Sequence, residues 1–118
     1  MGKYKKFEDE FAMYHNKRYG LVTSSGTAAL HSLYDAIGVK KGDEVIVPVY
    51  TFFATVSPIF QTGAKPVFVD CDETGNMDYT KVEEKINSHT KAIMVTHMWG
   101  YPCKMDKLRE IADKYGIY

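Results

Sequence analysis

The feature that most limits the fold of this chain is a short apolar run that recurs about every 25 residues. The clearest run is DEVIVP at 43–48, in which three β-branched residues follow one another without polar alternation. KPVFVD at 65–70 and KAIMVTH at 91–97 repeat the pattern. Strands that are apolar on both faces are typical of a parallel sheet covered by helices on both sides. We therefore predict buried parallel strands at these places, and a further strand at YGLVTSS, 19–25.

Helical periodicity fills the intervals between the runs. A helix is predicted from Gly26, and Gly38 stands just past its end, where glycine is favoured. A second helix is predicted to follow a cap at Thr51, and Pro58 within it is expected to kink or divide it. The apolar residues assigned to these helices are Leu30, Leu33, Tyr34 and Ile37 in the first, and Phe52, Phe53, Val56, Ile59 and Phe60 in the second.

Two more helices and a last apolar pair complete the pattern. Asp78 is predicted to begin a third helix, YTKVEEKI, that turns Val82 and Ile86 inward. The final helix is closed by Gly116 and followed by Ile-Tyr at 117–118, which matches the start of a fifth strand. Its apolar positions are Met105, Leu108, Ile111, Ala112 and Tyr115.

Strands that alternate with helices in this way predict βαβ units, and chain chirality makes their crossovers right-handed. The predicted fold class is therefore α/β with a parallel sheet. A strand that stops at its second residue would leave its neighbour unpaired and its helix half covered. We therefore expect residues 1–118 to be a single incomplete domain, without a second domain.

The charge balance and the cysteines exclude several classes of function. Fifteen basic and fifteen acidic side chains cancel, so no overall field favours nucleic acid or an anionic membrane as a partner. No apolar run reaches about 20 residues, the length that spans a bilayer, and the N-terminus lacks the apolar core of a signal peptide. Cys71 and Cys103 form neither a metal-binding pair nor a disulfide framework, which predicts a cytoplasmic location. The four histidines show no metal-ligand spacing, so no metal site is expected.

The stretch SSGT at 24–27 lies between an apolar run and a predicted helix, where a ligand can meet free backbone N–H groups. The N–H groups of Gly26 and Thr27 and the neighbouring hydroxyls could hold a phosphate. Alternatively, Ser25 is simply the helix N-cap, which local sequence by itself favours because Ser-to-helix junctions are common. The stretch matches neither a P-loop nor a GxGxxG dinucleotide fingerprint.

Two further positions are expected at the same edge of the sheet. Phe52 and Phe53 point about 100° apart on a helix, so we expect one to pack inward and the other to line a site, where it can lie against a planar ligand ring. His97 is predicted to end the fourth strand and could touch a ligand there. A lone histidine at a strand end is more often a structural residue, and no Ser-His-Asp or Cys-His arrangement can be assembled around it.

Taken together, the motifs SSGTAAL, GDEVIVP, YTFFAT, GAKPVFVD and TKAI resemble, in order and spacing, the DegT/StrS family of sugar aminotransferases. The resemblance covers essentially the whole chain. It implies the pyridoxal-phosphate (PLP) dependent transferase fold of type I, the fold of aspartate aminotransferase, with this chain as part of the large domain, truncated at both ends. It also implies transfer of an amino group, usually from glutamate, to a nucleotide-linked keto sugar by a dimer.

The resemblance assigns roles to particular residues. Gly26 and Thr27 would hold the PLP phosphate, and Ser25 would shape the turn. Phe52 matches the aromatic residue that stacks on the pyridine ring, and His97 would lie near the ring edge. The resemblance therefore favours the phosphate interpretation of SSGT over the cap interpretation.

The resemblance also implies that two catalytic groups lie beyond these residues. PLP chemistry needs a lysine that binds the cofactor covalently and a carboxylate that keeps the pyridine nitrogen protonated. In the family the lysine and the carboxylate both follow the segment that matches KYGI. No catalytic residue is therefore assigned in this chain, and it is expected to be inactive alone. It could be one piece of a split enzyme with a complementary C-terminal half, or an interrupted fragment. Alternatively it could be a non-catalytic module that binds a phosphate ligand or a partner subunit, and its exposed apolar surface would favour self-association.

Overall fold

The computed structural model describes residues 2–118 and shows an α/β chain with a small parallel sheet. The helices and strands, in chain order, are α1 (Lys3–Tyr14), α2 (Gly26–Ala36), β1 (Glu44–Pro48), α3 (Phe53–Gln61), β2 (Lys65–Val69), β3 (Thr90–Ile93) and α4 (Met105–Tyr115). Short 3-10 turns cover Tyr79–Lys81, Glu83–Lys85 and Met98–Gly100. The predicted fold class is confirmed, while α1 was not predicted.

The sheet has the order β2-β1-β3, with β1 in the middle and both pairings parallel. Ile46 at the centre of β1 lies opposite Val67 on one side and Ile93 on the other. Beyond β3, the N–H of Tyr118 donates to the Lys91 carbonyl (3.1 Å), and its own carbonyl accepts from the N–H of Ile93 (2.8 Å). These two bonds have the pattern of parallel pairing, although residues 117–118 are not a strand of the sheet.

Proline determines where the pairing of β1 with β3 ends. The Ile46 carbonyl accepts from the N–H of Met94 at 2.7 Å, so the next β1 residue facing β3 is Pro48. Proline has no N–H to donate to the ladder. The strand predicted at 91–97 is therefore shorter than expected and ends at Ile93.

Helices and turns bury both faces of the sheet. Alternate residues of β1 belong to opposite cores, with Val45 and Val47 on one side and Ile46 on the other. The first core also contains Tyr34, Val56, Ile59 and Ala92, from α2, α3 and β3. The second core also contains Val69, Met77, Val82, Cys103 and Leu108, which α4 and the 3-10 turns help to cover. The predicted two-sided burial is therefore confirmed for β1, whereas β2 is covered incompletely, since Phe68 is 48% exposed.

The strand predicted at 19–25 is wrong, because these residues form no strand. The N–H of Val22 donates to the Glu8 carboxylate at 2.9 Å, so it bonds to α1 and not to a strand ladder. The side chains of Tyr19 and Leu21 are exposed, although the apolar run predicted that they would be buried.

The predicted third helix is also wrong, because 79–86 forms two 3-10 turns. Asp78 does cap the first turn, accepting from the N–H of Thr80 at 3.0 Å, and Val82 is fully buried as predicted. Eight residues are too few for a stable α-helix without strong packing, and i→i+3 bonds satisfy the backbone in less length.

The second predicted helix exists with a different start. The residue before its first turn is Phe52, not Thr51, and no side chain caps it. Pro58 does not divide α3, which runs without interruption from Phe53 to Gln61. Gly38 confirms the predicted end of α2, since its φ of +73° is the left-handed conformation that glycine favours after a helix.

Across residues 2–118, none of the helices combines the length and the apolar character that crossing a bilayer requires.

Tyr34 gives the fold a pH dependence that can be measured. Within residues 2–118 its buried hydroxyl has no hydrogen-bond partner, and burial raises the pKa of Tyr34 to about 12. The unfolded chain loses the same proton near pH 10, so stability falls as the pH rises from about 10 through about 12, by roughly 2–3 kcal/mol. We expect Tyr34→Phe to remove this loss. At neutral pH the variant should also be more stable, because an unpaired buried hydroxyl costs about 1–3 kcal/mol.

Urea unfolding of both proteins at neutral pH and near pH 11 checks this expectation. The difference between the two curves isolates Tyr34 from the lysines that titrate in the same range. Two proteins whose stabilities fell in parallel with pH would contradict it.

Candidate functional site

The start of α2 has the geometry of a capped helix. Ser25 is extended (φ −164°, ψ 164°), and its Oγ accepts from the N–H of Ala28 at 3.1 Å. Its carbonyl accepts from the N–H of Ala29 at 3.0 Å and from the hydroxyl of Thr23 at 2.9 Å. Ser25 is therefore the N-cap of α2, which does not decide its predicted role beside a phosphate, because the cap leaves two N–H groups of the first turn for another acceptor.

The N–H groups of Gly26 and Thr27 have no acceptor within residues 2–118. Gly26 is exposed, and a Cβ built on it would meet no atom of the described residues within 4 Å, so open space lies beside these donors. Residues 23–27 contain no charged side chain. An anion would therefore be held here by backbone N–H groups and the positive end of the helix dipole, which is how phosphate binds at many helix N-termini.

The segment that leads into this turn is held against α1. A Cβ on Gly20 would lie 2.6 Å from the carbonyl oxygen of Glu8, so the two backbones are in direct contact. The Glu8 carboxylate also accepts from the N–H of Val22. Sequence reasoning missed this contact, although Gly20 inside an apolar run was an available signal of close backbone approach.

Phe52 and Phe53 are 78% and 72% exposed, so the expected division into one inward and one outward ring is wrong for this chain. Both residues, at the start of α3, are therefore largely open to solvent. Phe52 has an extended backbone and lies just beyond the carboxyl end of β1. Its ring is therefore free to lie against a planar ligand.

Hydrogen bonds join the loops that follow β1 and β3. The hydroxyl of Thr51 lies 3.1 Å from that of Thr96 and 2.9 Å from that of Thr55. Phe52 and His97 each follow one of the two bonded threonines, so the structure brings these loops together at one edge of the sheet. No hydrogen bond within residues 2–118 joins either loop to the start of α2. The start of α2 is connected to these loops through the packing of α2 on α3.

His97 lies beyond the end of β3 and not at its last residue, which corrects its predicted place. Its Nδ1 accepts from the N–H of Cys103 at 3.2 Å, and its side chain is exposed. The Cys103 thiol donates to the Thr96 carbonyl at 3.1 Å. Burial raises the pKa of that thiol, which keeps the donating proton in place. The imidazole is thus fixed from one side and open on the other.

Within residues 2–118, no three His, Cys, Asp or Glu side chains lie close enough together to hold a metal ion.

Comparison with known proteins gives the family. The family model of the DegT/DnrJ/EryC1/StrS aminotransferase family matches residues 1–118. GDP-perosamine synthase of Escherichia coli O157:H7 is 45% identical over 114 residues, which are 96% of this chain and 31% of that protein. Among solved structures, DesV of S. venezuelae has a TM-score of 0.94 at 38% identity, covering all of this chain and 32% of DesV.

A second solved structure connects the fold to the cofactor. The PLP-form of Spr1654 from Streptococcus pneumoniae has a TM-score of 0.92 at 35% identity, over 98% of this chain and 30% of that protein. The chain thus spans about a third of the length of the relatives it matches. It belongs to the DegT/DnrJ/EryC1/StrS family of aminotransferases, whose members use PLP.

Proposed function

We propose that residues 1–118 form the phosphate-binding part of a PLP-dependent aminotransferase that acts on a nucleotide-linked keto sugar, with glutamate as amino donor. The observation that carries the proposal is the start of α2, where two N–H groups that find no acceptor among residues 2–118 border open space at Gly26. The name of the E. coli relative, GDP-perosamine synthase, supports a nucleotide-linked sugar as the substrate class.

The residues present fit the phosphate and ring of PLP. The N–H groups of Gly26 and Thr27 would donate to phosphate oxygens, while the cap at Ser25 keeps both groups directed outward. The exposed ring of Phe52 would cover one face of the pyridine, and the open side of His97 would face the ring edge. When bound, PLP supplies the electron sink that amino-group transfer requires.

We further propose that these residues bind the cofactor phosphate without catalysing transfer alone. The chain corresponds to about a third of its relatives, and the family's covalent lysine and pyridine carboxylate are expected in the remainder. A complementary C-terminal segment would then complete the site. The free thiols Cys71 and Cys103 support the cytoplasm as the compartment.

Complementation tests this function. The chain is produced alone and together with the part of the E. coli relative that follows its matched residues, and amino transfer from glutamate to a GDP-linked keto sugar is measured. We expect no transfer by the chain alone and transfer by the co-purified complex. Transfer by the chain alone, or an assembled complex that binds PLP without transferring, would contradict the proposal.

Exposed apolar side chains favour a second candidate function, subunit interaction. Phe7, Phe11, Met13 and Tyr14 on α1 are each at least half exposed, far more apolar surface than one short helix usually shows to water. We expect the chain to self-associate as its concentration rises in sedimentation experiments. A monomer at every concentration would contradict this candidate and leave the phosphate site unaffected.

A further inference from the structure

Asn76 is a buried polar side chain whose two amide atoms both bond to one distant turn. Its side chain is 2% exposed. The Nδ2 group donates to the carbonyl of Tyr101 at 3.1 Å, and Oδ1 accepts from the N–H of Met98 at 3.0 Å. Burying an amide group without hydrogen-bond partners costs free energy. The two bonds therefore fix the position of the turn relative to Asn76.

The turn that Asn76 holds contains a backbone conformation that is unfavourable for its residue. Trp99 has φ 55° and ψ 21°, in the left-handed region, and its indole is 86% exposed. A large non-glycine residue adopts this conformation only when its surroundings fix it. An exposed indole supplies no packing of its own, so the fixing contacts must come from the backbone on either side of Trp99.

Those contacts come from two sides. Asn76 bonds to the residue before Trp99 and to the residue after Gly100. On the other side, Cys103 bonds to Thr96 and His97, as described above. Asn76 is itself anchored, since its carbonyl accepts from the N–H of Asp72 at 2.8 Å and the next residue, Met77, is buried.

We propose that Asn76 is a positioning residue that fixes the turn 97–101, and through it the place of His97 at the edge of the candidate site. The role at the site depends on the proposed function, whereas the control of the turn does not. Asn76 lies outside every motif that pointed to the cofactor, and it acts on His97 only through the backbone of the turn.

Fluorescence can test this inference directly, because Trp99 is the only tryptophan of the chain. Emission anisotropy then reports the motion of this one turn on the nanosecond timescale. In folded Asn76→Ala we expect the anisotropy to fall below the wild-type value. The NMR signals of the His97 imidazole and the Cys103 amide should shift as well, since the turn loses one of its two anchors.

Asn87 provides the matched control. Its amide Nδ2 donates to Glu44 at 2.7 Å and its Oδ1 accepts from the N–H of His89 at 2.8 Å, at the opposite end of β3 from the turn. Asn87→Ala therefore removes one donated and one accepted amide bond, as Asn76→Ala does, but at an exposed position beyond the other end of β3. We expect it to lower the unfolding midpoint while leaving Trp99 anisotropy unchanged.

Asn76→Asp keeps the experiment decisive if Asn76→Ala does not fold. The carboxylate retains the acceptor for Met98 but has no donor for Tyr101, and protonation restores a donor. We expect low anisotropy at neutral pH and a rise toward the wild-type value on acidification. The wild-type chain over the same pH range corrects for the nearby Asp72, Asp78 and His97.

The inference is overturned if the folded variants keep wild-type anisotropy and His97 signals while only their stability falls. It is also overturned if acidification leaves the anisotropy of Asn76→Asp unchanged. None of these measurements uses PLP. A negative result for Asn76 can therefore be distinguished from a negative result for phosphate binding at Gly26.

Discussion

Gly20→Ala is expected to lower the free energy of unfolding by about 1–3 kcal/mol, the usual cost of forcing an extra carbon into a closed contact. The new Cβ would lie 2.6 Å from the Glu8 carbonyl oxygen, with the Glu8 carbonyl carbon at 3.4 Å. Both atoms are helical backbone, so no side-chain rotation can make room. Either α1 or the segment before the turn must move, and the bond from Val22 to Glu8 is lost with the shift.

Urea unfolding measures the stability change, and hydrogen exchange at the Val22 amide measures the loss of the bond. Gly26→Ala is the control, because a Cβ there meets no atom within 4 Å in the part of the chain that the structure describes, and the residue is already helical. Equal stabilities of Gly20→Ala and the wild-type chain, with Val22 still protected, would show that α1 does not pack against this segment.

We expect Gly26→Ala to weaken ligand binding without lowering the stability of the chain. The unfolded chain loses freedom when alanine replaces glycine, so stability should stay the same or rise by about 0.5–1 kcal/mol. Phosphate or PLP binding should nevertheless weaken at least about tenfold, or about 1.4 kcal/mol, because the methyl group occupies the open space beside the donors. Isothermal titration and urea unfolding of the same samples give the two quantities.

Gly2→Ala is the matched control for this variant. Gly2 precedes α1, and a Cβ on it also meets nothing within 4 Å, so the substitution adds a methyl group at another helix start. It should leave PLP binding unchanged. If both variants lost binding equally, the cause would be a methyl group added at any helix start and not the turn at Gly26.

The sequence was sufficient to predict the parts of the fold that depend on local pattern and burial. The runs at 43–48 and 65–70 became β1 and β2, and the periodic stripe after Gly26 became α2. A strand that is apolar on both faces is stable in an α/β chain only in a sheet that is covered on both sides. The sequence pattern and the structure therefore agree. The family motifs predicted the same architecture, which the comparisons confirm.

The remaining features depend on contacts between distant residues, which local pattern cannot reveal. The apolar run at 19–25 formed no strand, since its backbone packs on α1 through Gly20 and Glu8. The strand at 91–97 ended early because a proline on the neighbouring strand, Pro48, lacks the donor that the ladder needs. Neither cause is visible within the segment that it affects.

The candidate site shows the same division. Local sequence allowed Ser25 to be a helix cap, and it is one, because a cap is specified by the residues of a single turn. Its predicted role beside a phosphate stays a prediction. The exposure of Phe53 and the support of His97 by Cys103 and Asn76 were not predicted, since they depend on loops from different parts of the chain.

The most direct test of the central claim is an NMR titration of the 15N-labelled chain with inorganic phosphate and with PLP. We expect saturable shifts of the Gly26 and Thr27 amide signals with both ligands, and shifts of the Phe52 and His97 signals with PLP alone. Saturating PLP that left the Gly26 and Thr27 signals in place would contradict the claim that the start of α2 holds the cofactor phosphate.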